Sequence, residues 1–349
     1  MQIKILQGDC IESLKKLKDE SVNTCITSPP YWGLRDYNGE EKQLGLEDTP
    51  EEFVDNLVKV FREVKRVLRD DGTVWLNLGD SFLPNKQIGC IPFRVALALQ
   101  SDGWYLRQDI IWHKPNPMPE SVKDRCTKAH EYIFLLSKNV KYYFDNEAIK
   151  EDAVRAGKIP KGKKYSSELA DDKIGGKHTR ETLNEKPVAP KRNKRSVWTV
   201  TTKPFKEAHF ATFPMDLIEP CVLAGCPEKI CVDCGKPYER VMQKPKQLEV
   251  NRNKRSGLDD RKIGGVLDKY NRENPPIDLG VQKQCDCKTN ETKAGTVLDP
   301  FAGSGTTGIV AANHARNSVL LELNEEYIKI AKKRIKEQAG MFAEVYEDG

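Results

Sequence analysis

One stretch near the C-terminal end restricts the fold more than any other: Thr296-Val-Leu-Asp299-Pro-Phe-Ala-Gly303-Ser-Gly305-Thr-Thr307. A short apolar strand (Thr296 to Leu298) closes on an acid, turns through two glycines and opens a helix. Strand, tight turn and helix in succession form the repeating unit of a parallel sheet covered by helices. The glycines let backbone approach a ligand closely, and the helix start offers unpaired N–H groups. The Gly-Lys-Ser/Thr ending of a phosphate loop is missing, and the spacing is not the dinucleotide G-x-G-x-x-G. Asp299 stands at the carboxyl end of its strand, where open α/β sheets bind ligands, and a carboxylate there suits a cationic one. About twenty residues on, Glu322 ends the next strand, the position from which an acid accepts from ribose hydroxyls. Together these features describe a nucleoside site with no preference for phosphate. The bland alternative is a tight turn that binds nothing.

The remainder of the chain alternates in the same way. Ile3 to Leu6 reads as a strand ending at Gly8-Asp9, with a short helix through Ile11, Leu14 and Leu17. Val22 to Thr27 is a second strand, stopped at Ser28-Pro29-Pro30 because proline neither donates to a ladder nor continues it. Thr49 as N-cap, Pro50 at the first helical position, and Glu51 and Glu52 in the first turn announce a helix. Its apolar face is Phe53, Leu57, Val60, Phe61, Val64, Val67 and Leu68. Asp70-Asp71-Gly72 should end it before a strand from Thr73 to Leu78. A helix over Ile91 to Gln100, strands around Asp109 to Trp112 and Glu131 to Leu136, and one over Lys141 to Phe144 follow. Order returns at Ser196 to Thr201 and in a helix from Pro214 to Ala224, and the chain closes with strand Ser318 to Leu323 and helix Glu325 to Lys336. The expected fold is α/β: a mostly parallel, doubly wound sheet completed from both chain ends and interrupted by basic insertions.

Charge marks those insertions. The net charge is only +5, yet Lys150 to Glu207 holds 16 Lys/Arg against 8 Asp/Glu, and Lys236 to Lys293 holds 14 against 9. Two basic segments on an otherwise acidic body suit a polyanion such as nucleic acid, although solvated insertions would look the same. The parts are therefore 1–146, a basic insertion over 147–195, a return over 196–226, a second insertion over 227–294 and a closing part over 295–349. No signal peptide is apparent at the N-terminus, and no apolar run approaches the roughly 18–20 residues of a membrane span. Ten cysteines in such a chain suggest thiols or metal ligands rather than disulfides.

Thr27-Ser28-Pro29-Pro30-Tyr31-Trp32 ends a strand on the same sheet edge as the glycine turn. Two prolines fix the backbone, so the Ser28 hydroxyl and the Pro29 carbonyl are held as acceptors, and Tyr31 offers a flat face. A nucleobase amine is a poor nucleophile because its lone pair is delocalised into the ring. Two acceptors on its hydrogens favour a pyramidal nitrogen, and stacking on Tyr31 would hold a base that has left the helix. Reaction with a sulfonium methyl then needs positioning more than a strong base.

TSPPYWGLRDY followed much later by DPFAGSGTT resembles the amino-directed DNA methyltransferases, in the permuted order with the catalytic motif first. The resemblance spans about Ile3 to Tyr143 and Trp198 to Ile335. It implies a Rossmann-like class I methyltransferase fold and S-adenosylmethionine as methyl donor. By that likeness the donor is bound by Asp299, Pro300, Phe301, Gly303, Ser304, Gly305, Thr306, Thr307 and Glu322. Asp9 and Cys10 would lie near its adenine, and Phe213-Pro214 (in HFATFP) near its methionine part. Ser28, Pro29, Pro30 and Tyr31 would hold the target amine. Ser-Pro-Pro-Tyr with Trp-Gly-Leu-Arg-Asp-Tyr is similar to the cytosine-N4 branch, whereas adenine-N6 relatives more often carry Asp in place of Ser28. The implied substrate is double-stranded DNA, the implied setting the cytoplasm beside the nucleoid, with a companion restriction endonuclease as a partner such enzymes can have.

Cys231-x-x-Cys234 and Cys285-x-Cys287 bracket the second insertion and read as a four-thiolate structural zinc site, with Cys226 or Cys221 as substitutes for half of it. Free thiols are the alternative. Lys191-Arg-Asn-Lys-Arg195 and Arg252-Asn-Lys-Arg255 are candidate phosphate contacts. His113, Lys114, His130 and Glu131 are candidates for lining the base site, with purely structural roles equally open. Other readings are an RNA or protein methyltransferase, and a zinc-containing nucleic-acid binder without catalysis.

Overall fold

A computed structural model describes residues 1–33, 43–153, 191–202, 213–243, 276–339 and 344–348. Leu34 to Tyr37, His209 to Thr212, Arg252 to Arg255 and most of both basic insertions lie outside the described residues.

The chain begins with β1 (Gln2–Gln7), α1 (Cys10–Lys15) and β2 (Val22–Thr27). It continues with α2 (Pro50–Val67), β3 (Leu68–Leu78), α3 (Ile91–Ser101), β4 (Tyr105–His113) and β5 (His130–Ser137). After the first insertion come β6 (Val197–Thr199) and α4 (Met215–Gly225). The C-terminal part supplies β7 (Thr296–Asp299), α5 (Thr306–Asn313), β8 (Asn317–Glu322), α6 (Glu325–Gln338) and β9 (Glu344–Asp348).

These nine strands form one sheet in the order β9-β1-β8-β7-β2-β3-β5-β4-β6. Every neighbouring pair is parallel except the two made by β5, which runs against β3 and β4. Strands from both ends of the chain thus complete one mostly parallel sheet. Alternate residues point to opposite faces, and both faces are buried: Cys25, Val74, Leu76 and Leu298 pack with α2 and α3, whereas Ile26, Trp75 and Val297 pack with α4 and α5. The sheet is doubly wound, as the run of apolar strands requires.

The strongest local signal is realised in full. Thr49 accepts from the Glu52 N–H at 3.2 Å, and Glu52 accepts in return from the Thr49 N–H, closing a capping box ahead of Pro50. Phe53, Leu57, Val60, Phe61, Val64 and Val67 are fully buried beneath that helix. Asp70-Asp71-Gly72 does not separate helix from strand, however. Leu68 already turns extended (φ −76, ψ 135), and β3 runs through all three residues. Their carbonyls are taken by the segment after β5: Lys138 N–H donates to Gly72, Asn139 Nδ2 to Asp70 and Tyr143 N–H to Asp71. That segment is spoken for, so Lys141 to Phe144 forms no strand of its own. β9 was not apparent from sequence at all.

Small antiparallel ribbons mark the roots of the insertions: Glu151–Asp152 with Lys191–Arg192, Ile230–Cys231 with Thr292–Lys293, and Glu239–Gln243 with Ile277–Gln282. Among the described residues no helix is long and apolar enough to cross a membrane.

Candidate active site

β7 and β2 lie side by side at the centre of the sheet, Val297 opposite Thr24 and Leu298 opposite Cys25. Their connections leave in opposite directions, β7 through α5 to β8 and β2 through α2 to β3. The gap between them is the topological switch point, where crevices open at the carboxyl edge of such sheets. The glycine turn leaves one strand there and Ser28 to Tyr31 leave the other. A hydrogen bond joins the two: Thr27 Oγ1 donates to Asp299 Oδ1 at 2.6 Å. Residues 272 positions apart in sequence therefore tie together, beneath the surface, the roots of the two turns.

The glycine turn divides into residues that reach the crevice and residues that brace them. Phe301 and Gly303 are partly exposed, whereas Asp299, Pro300, Ser304, Gly305, Thr306 and Thr307 are buried. Asp299 accepts from Thr27 Oγ1 and the Phe301 N–H on one oxygen, and from Thr307 Oγ1 on the other at 2.6 Å. Burial pushes its carboxyl up to about 6 although all three donors favour the ionised form. A wholly buried carboxylate so engaged shapes the loop and does not itself reach a ligand. Arg334, buried on α6, donates to the Ser304 carbonyl at 2.8 Å, to Thr306 Oγ1 at 3.1 Å and to the Ser304 hydroxyl. The hydroxyls of Ser304, Thr306 and Thr307 are therefore turned inward. Nothing in the sequence pointed to Arg334, a charged residue on the buried face of α6 beside Ala331 and Ile335, which meets the loop only in the folded chain.

Both turn glycines lie at positive φ, +50 at Gly303 and +78 at Gly305. Their surroundings differ: a Cβ on Gly305 would stand 2.9 Å from Ala331 Cβ, whereas one on Gly303 would meet nothing within 4 Å. Gly303 faces the crevice. Its N–H donates to Glu322 Oε2 at 2.7 Å, and Asn324 N–H donates to Glu322 Oε1 at 2.9 Å. Burial raises the Glu322 carboxyl, opposed by those N–H groups. Gly8 N–H donates to the Glu322 carbonyl at 3.0 Å, which brings the next turn alongside. There Asp9 caps α1 by accepting from the Glu12 N–H at 3.0 Å, and burial raises the Cys10 thiol to about 12, so it stays protonated.

Along the carboxyl edge the order is thus β1 with Asp9 and Cys10, β8 with Glu322, β7 with the glycine turn, and β2 with Ser28. Phe213 and Pro214 precede α4, whose far end (Gly225) lies against Thr24 and Thr73 in the lower half of the sheet. Eleven residues at about 1.5 Å each return its first turn to the upper edge. Phe213 is partly buried against the cluster that includes Ile26 and Val310.

Ser28 and Tyr31 belong to a polar chain crossing four strands. Ser28 Oγ donates to Tyr31 Oη at 3.3 Å, and Tyr31 Oη donates to Glu131 Oε2 at 2.8 Å. Asn77 Nδ2 donates both to Tyr31 Oη at 2.5 Å and to Glu131 Oε2 at 3.0 Å. Lys114 Nζ pairs with Glu131 Oε1. The Tyr31 ring lies against Gly79, where a Cβ would come within 2.5 Å of Tyr31 Cε2. Burial and the Glu131 charge hold the phenol well above its ordinary value. The structure thus gathers Lys114 and Glu131 at Ser28. His113 and His130 instead pair across β4 and β5, bonding to Thr199 and Tyr132.

Away from the crevice, the Sγ atoms of Cys231, Cys234, Cys285 and Cys287 all lie within 4.8 Å of one another. Four thiolates about 2.3 Å from one tetrahedral ion stand about 3.8 Å apart, so this set needs only slight closure to hold zinc. Cys231 to Gly235 forms a tight turn, with Gly235 at φ +68 and its N–H donating to the Cys231 carbonyl. N–H groups of Cys234 and Asp233 directed at the Cys231 sulfur bring that thiol down to about 7. Cys221 and Cys226, the suggested substitutes, are buried in the core and stand outside this cluster.

A family model described as DNA methylase matches residues 22–234 and 286–333. Type II methyltransferase M.Cfr9I of Citrobacter freundii is 36% identical over 360 residues, covering 95% of this chain and 87% of that protein. Among solved structures, the PvuII DNA methyltransferase (cytosine-N4-specific) covers 95% of this chain and 87% of its own with a TM-score of 0.57 at 17% identity. A putative DNA modification methylase of Thermus thermophilus, solved with S-adenosyl-L-methionine, covers 99% of both chains with a TM-score of 0.51 at 21% identity. The fold is that of the Rossmann-like class I methyltransferases.

Proposed function

The chain belongs to the DNA methylase family, and from that premise we propose that it methylates the N4 amino group of cytosine in duplex DNA by base flipping and direct in-line displacement. The observation that carries the reading is the Thr27–Asp299 hydrogen bond, which sets the two motifs on adjacent strands at the switch point. S-adenosylmethionine, when bound, supplies an electrophilic methyl group on a sulfonium.

The chain's own residues do the rest. Asp9 and Cys10 border the adenine, Glu322 accepts from the ribose, Phe301 and Gly303 line the crevice, and Phe213 and Pro214 close it on the methionine side. Asp299, Pro300, Ser304, Gly305, Thr306 and Thr307 keep the loop in shape from behind. The four turns along the edge run in that order toward Ser28, so donor and target amine meet at β2. Ser28 Oγ and the Pro29 carbonyl accept the amine hydrogens, Pro30 fixes the turn, and Tyr31 flanks the flipped base. Cytosine rather than adenine is favoured by Ser28, where the adenine-N6 branch more often has Asp; N6-adenine is the alternative. Basic residues of 147–195 and 227–294 neutralise phosphates, which makes affinity fall with salt. Cys231, Cys234, Cys285 and Cys287 hold one structural zinc that pins the root of the second insertion. The Type II name of the relative supports a companion restriction endonuclease.

Two measurements test this. DNA modified by the enzyme, digested to nucleosides and analysed by mass spectrometry, should yield N4-methylcytosine; N6-methyladenine in its place would select the alternative. Ser28→Ala should bind S-adenosylmethionine normally yet transfer tritiated methyl at least about 100-fold more slowly. Transfer at the wild-type rate by that variant would remove Ser28 from the mechanism.

A further inference from the structure

A nitrogen that has just accepted a methyl group carries one proton too many. A carboxylate at the first position of the catalytic motif could take that proton itself. Ser28 cannot, because an alcohol keeps a second proton only in strong acid. An enzyme with serine here needs a carboxylate elsewhere, joined to the serine by hydrogen bonds.

The geometry points to Glu131 as that carboxylate, reached from Ser28 through the Tyr31 hydroxyl. This inference rests on the amine-methylating function proposed above and adds the route by which the proton leaves. Ser28 donates to Tyr31 and Tyr31 to Glu131, so every bond in the chain already points toward the carboxylate. Polarity of that kind is cooperative: each donation makes the next oxygen upstream a better acceptor. The Ser28 lone pairs therefore remain turned toward the incoming amine. After transfer the N–H bond of the methylated nitrogen breaks, and its electron pair stays on nitrogen. That proton joins Ser28 Oγ as Ser28's own proton passes to Tyr31 Oη and Tyr31's to Glu131 Oε2. Nitrogen loses one proton, Glu131 gains one, and both hydroxyls are restored.

The surroundings fit the task. The phenolate is disfavoured in this setting, so Tyr31 passes a proton on rather than parting with one for long. Asn77 holds Tyr31 Oη and Glu131 Oε2 with a single amide, fixing the last link. Lys114 Nζ pairs with the other Glu131 oxygen, and with the Lys114 and Glu131 side chains 19% and 15% exposed a proton that reaches Glu131 can pass on to water. Glu131 acts through Tyr31 and not on the base, as a positioning and proton-accepting residue.

Single-turnover methylation of unmethylated plasmid DNA by purified full-length protein tests this. Glu131→Gln should slow the chemical step by about 100-fold with KM for S-adenosylmethionine unchanged. Glu131→Asp, which keeps a carboxylate, should recover part of the loss. Tyr31→Phe breaks the same chain one link earlier, so the double variant should be no slower than the worse single one. Should Glu131→Gln fail to fold, Tyr31→Phe decides alone, since it removes only a hydroxyl: a loss of at least about tenfold in kcat supports the relay. Wild-type rates in Glu131→Gln or Tyr31→Phe would overturn it, as would multiplying losses in the double variant. The nucleoside product of the wild-type enzyme reports separately on the function itself. N6-methyladenine from the wild type, with the same losses in the variants, would overturn the choice of base and leave the relay standing.

Discussion

Thr27 and Asp299 bond at 2.6 Å across the seam where the two ends of the chain meet, and the carboxylate in that bond is fully buried. It accepts from three donors and still has its carboxyl raised to about 6, so desolvation outweighs hydrogen bonding at this site.

A pH dependence follows from that balance. The folded value lies above the ordinary aspartate value, so the stability contributed by Asp299 is full below about pH 4 and is lost as pH rises through about 6. Asp299→Asn lacks this titration. Urea unfolding at about pH 4.5 and about pH 7.5 should show the variant gaining on the wild type by about 2 kcal/mol over that interval. A difference independent of pH would mean that Asp299 ionises freely in the folded protein.

The two turn glycines should separate stability from ligand binding. Gly305→Ala puts a methyl against Ala331 in a left-handed conformation and should cost about 3 kcal/mol. Gly303→Ala meets open space and should cost only about 1 kcal/mol, its backbone strain. Its methyl enters the crevice, so S-adenosylmethionine affinity should fall by about tenfold or more. Calorimetric titration beside thermal melting checks both, and equal melting losses in the two variants would contradict the geometry.

Arg334 offers a third test, because it supports the loop without facing the crevice. Arg334→Met leaves the Ser304 carbonyl without its charged donor and should lower stability by about 2 kcal/mol. Cofactor affinity should drop with it while DNA retention in gel shift stays the same. Unchanged cofactor affinity would show that the loop holds its shape unaided.

For the cysteine cluster, elemental analysis of protein purified without chelator should find one zinc per chain. Cys234→Ser should lose the metal and lower the melting temperature, and strong chelators should do the same to the wild type. Metal-free protein of undiminished stability would reassign the four residues as free thiols.

Much of the scaffold was legible because its causes are local. Proline after Thr27, the capping box at Thr49 and the glycine turn after Asp299 each act within a few residues. The crevice itself was legible only as an inference from strand ends on one edge. What stayed hidden depends on side chains distant in sequence: Arg334 on Ser304, Asn77 on Tyr31, Lys138 on the Leu68 carbonyl. Asp299 shows the limit well. Its position at a strand end suggested attraction for a cation, yet its neighbours in space, Thr27 and Thr307, occupy it fully. β9 escaped because Glu344 to Asp348 is short and polar and is read as a strand only beside β1.

The placement of β1 has a consequence for biosynthesis. It is made first, yet its neighbours in the sheet are β8 and β9, made last. During translation the strand that carries Asp9 and Cys10 at its end must wait for roughly 300 residues to be added before its ladders can form. A ribosome that stalls between Tyr31 and Asp299 leaves a chain with the SPPY turn but no neighbouring glycine turn. Methylating activity therefore has to wait until β7, the glycine turn and β8 have been made.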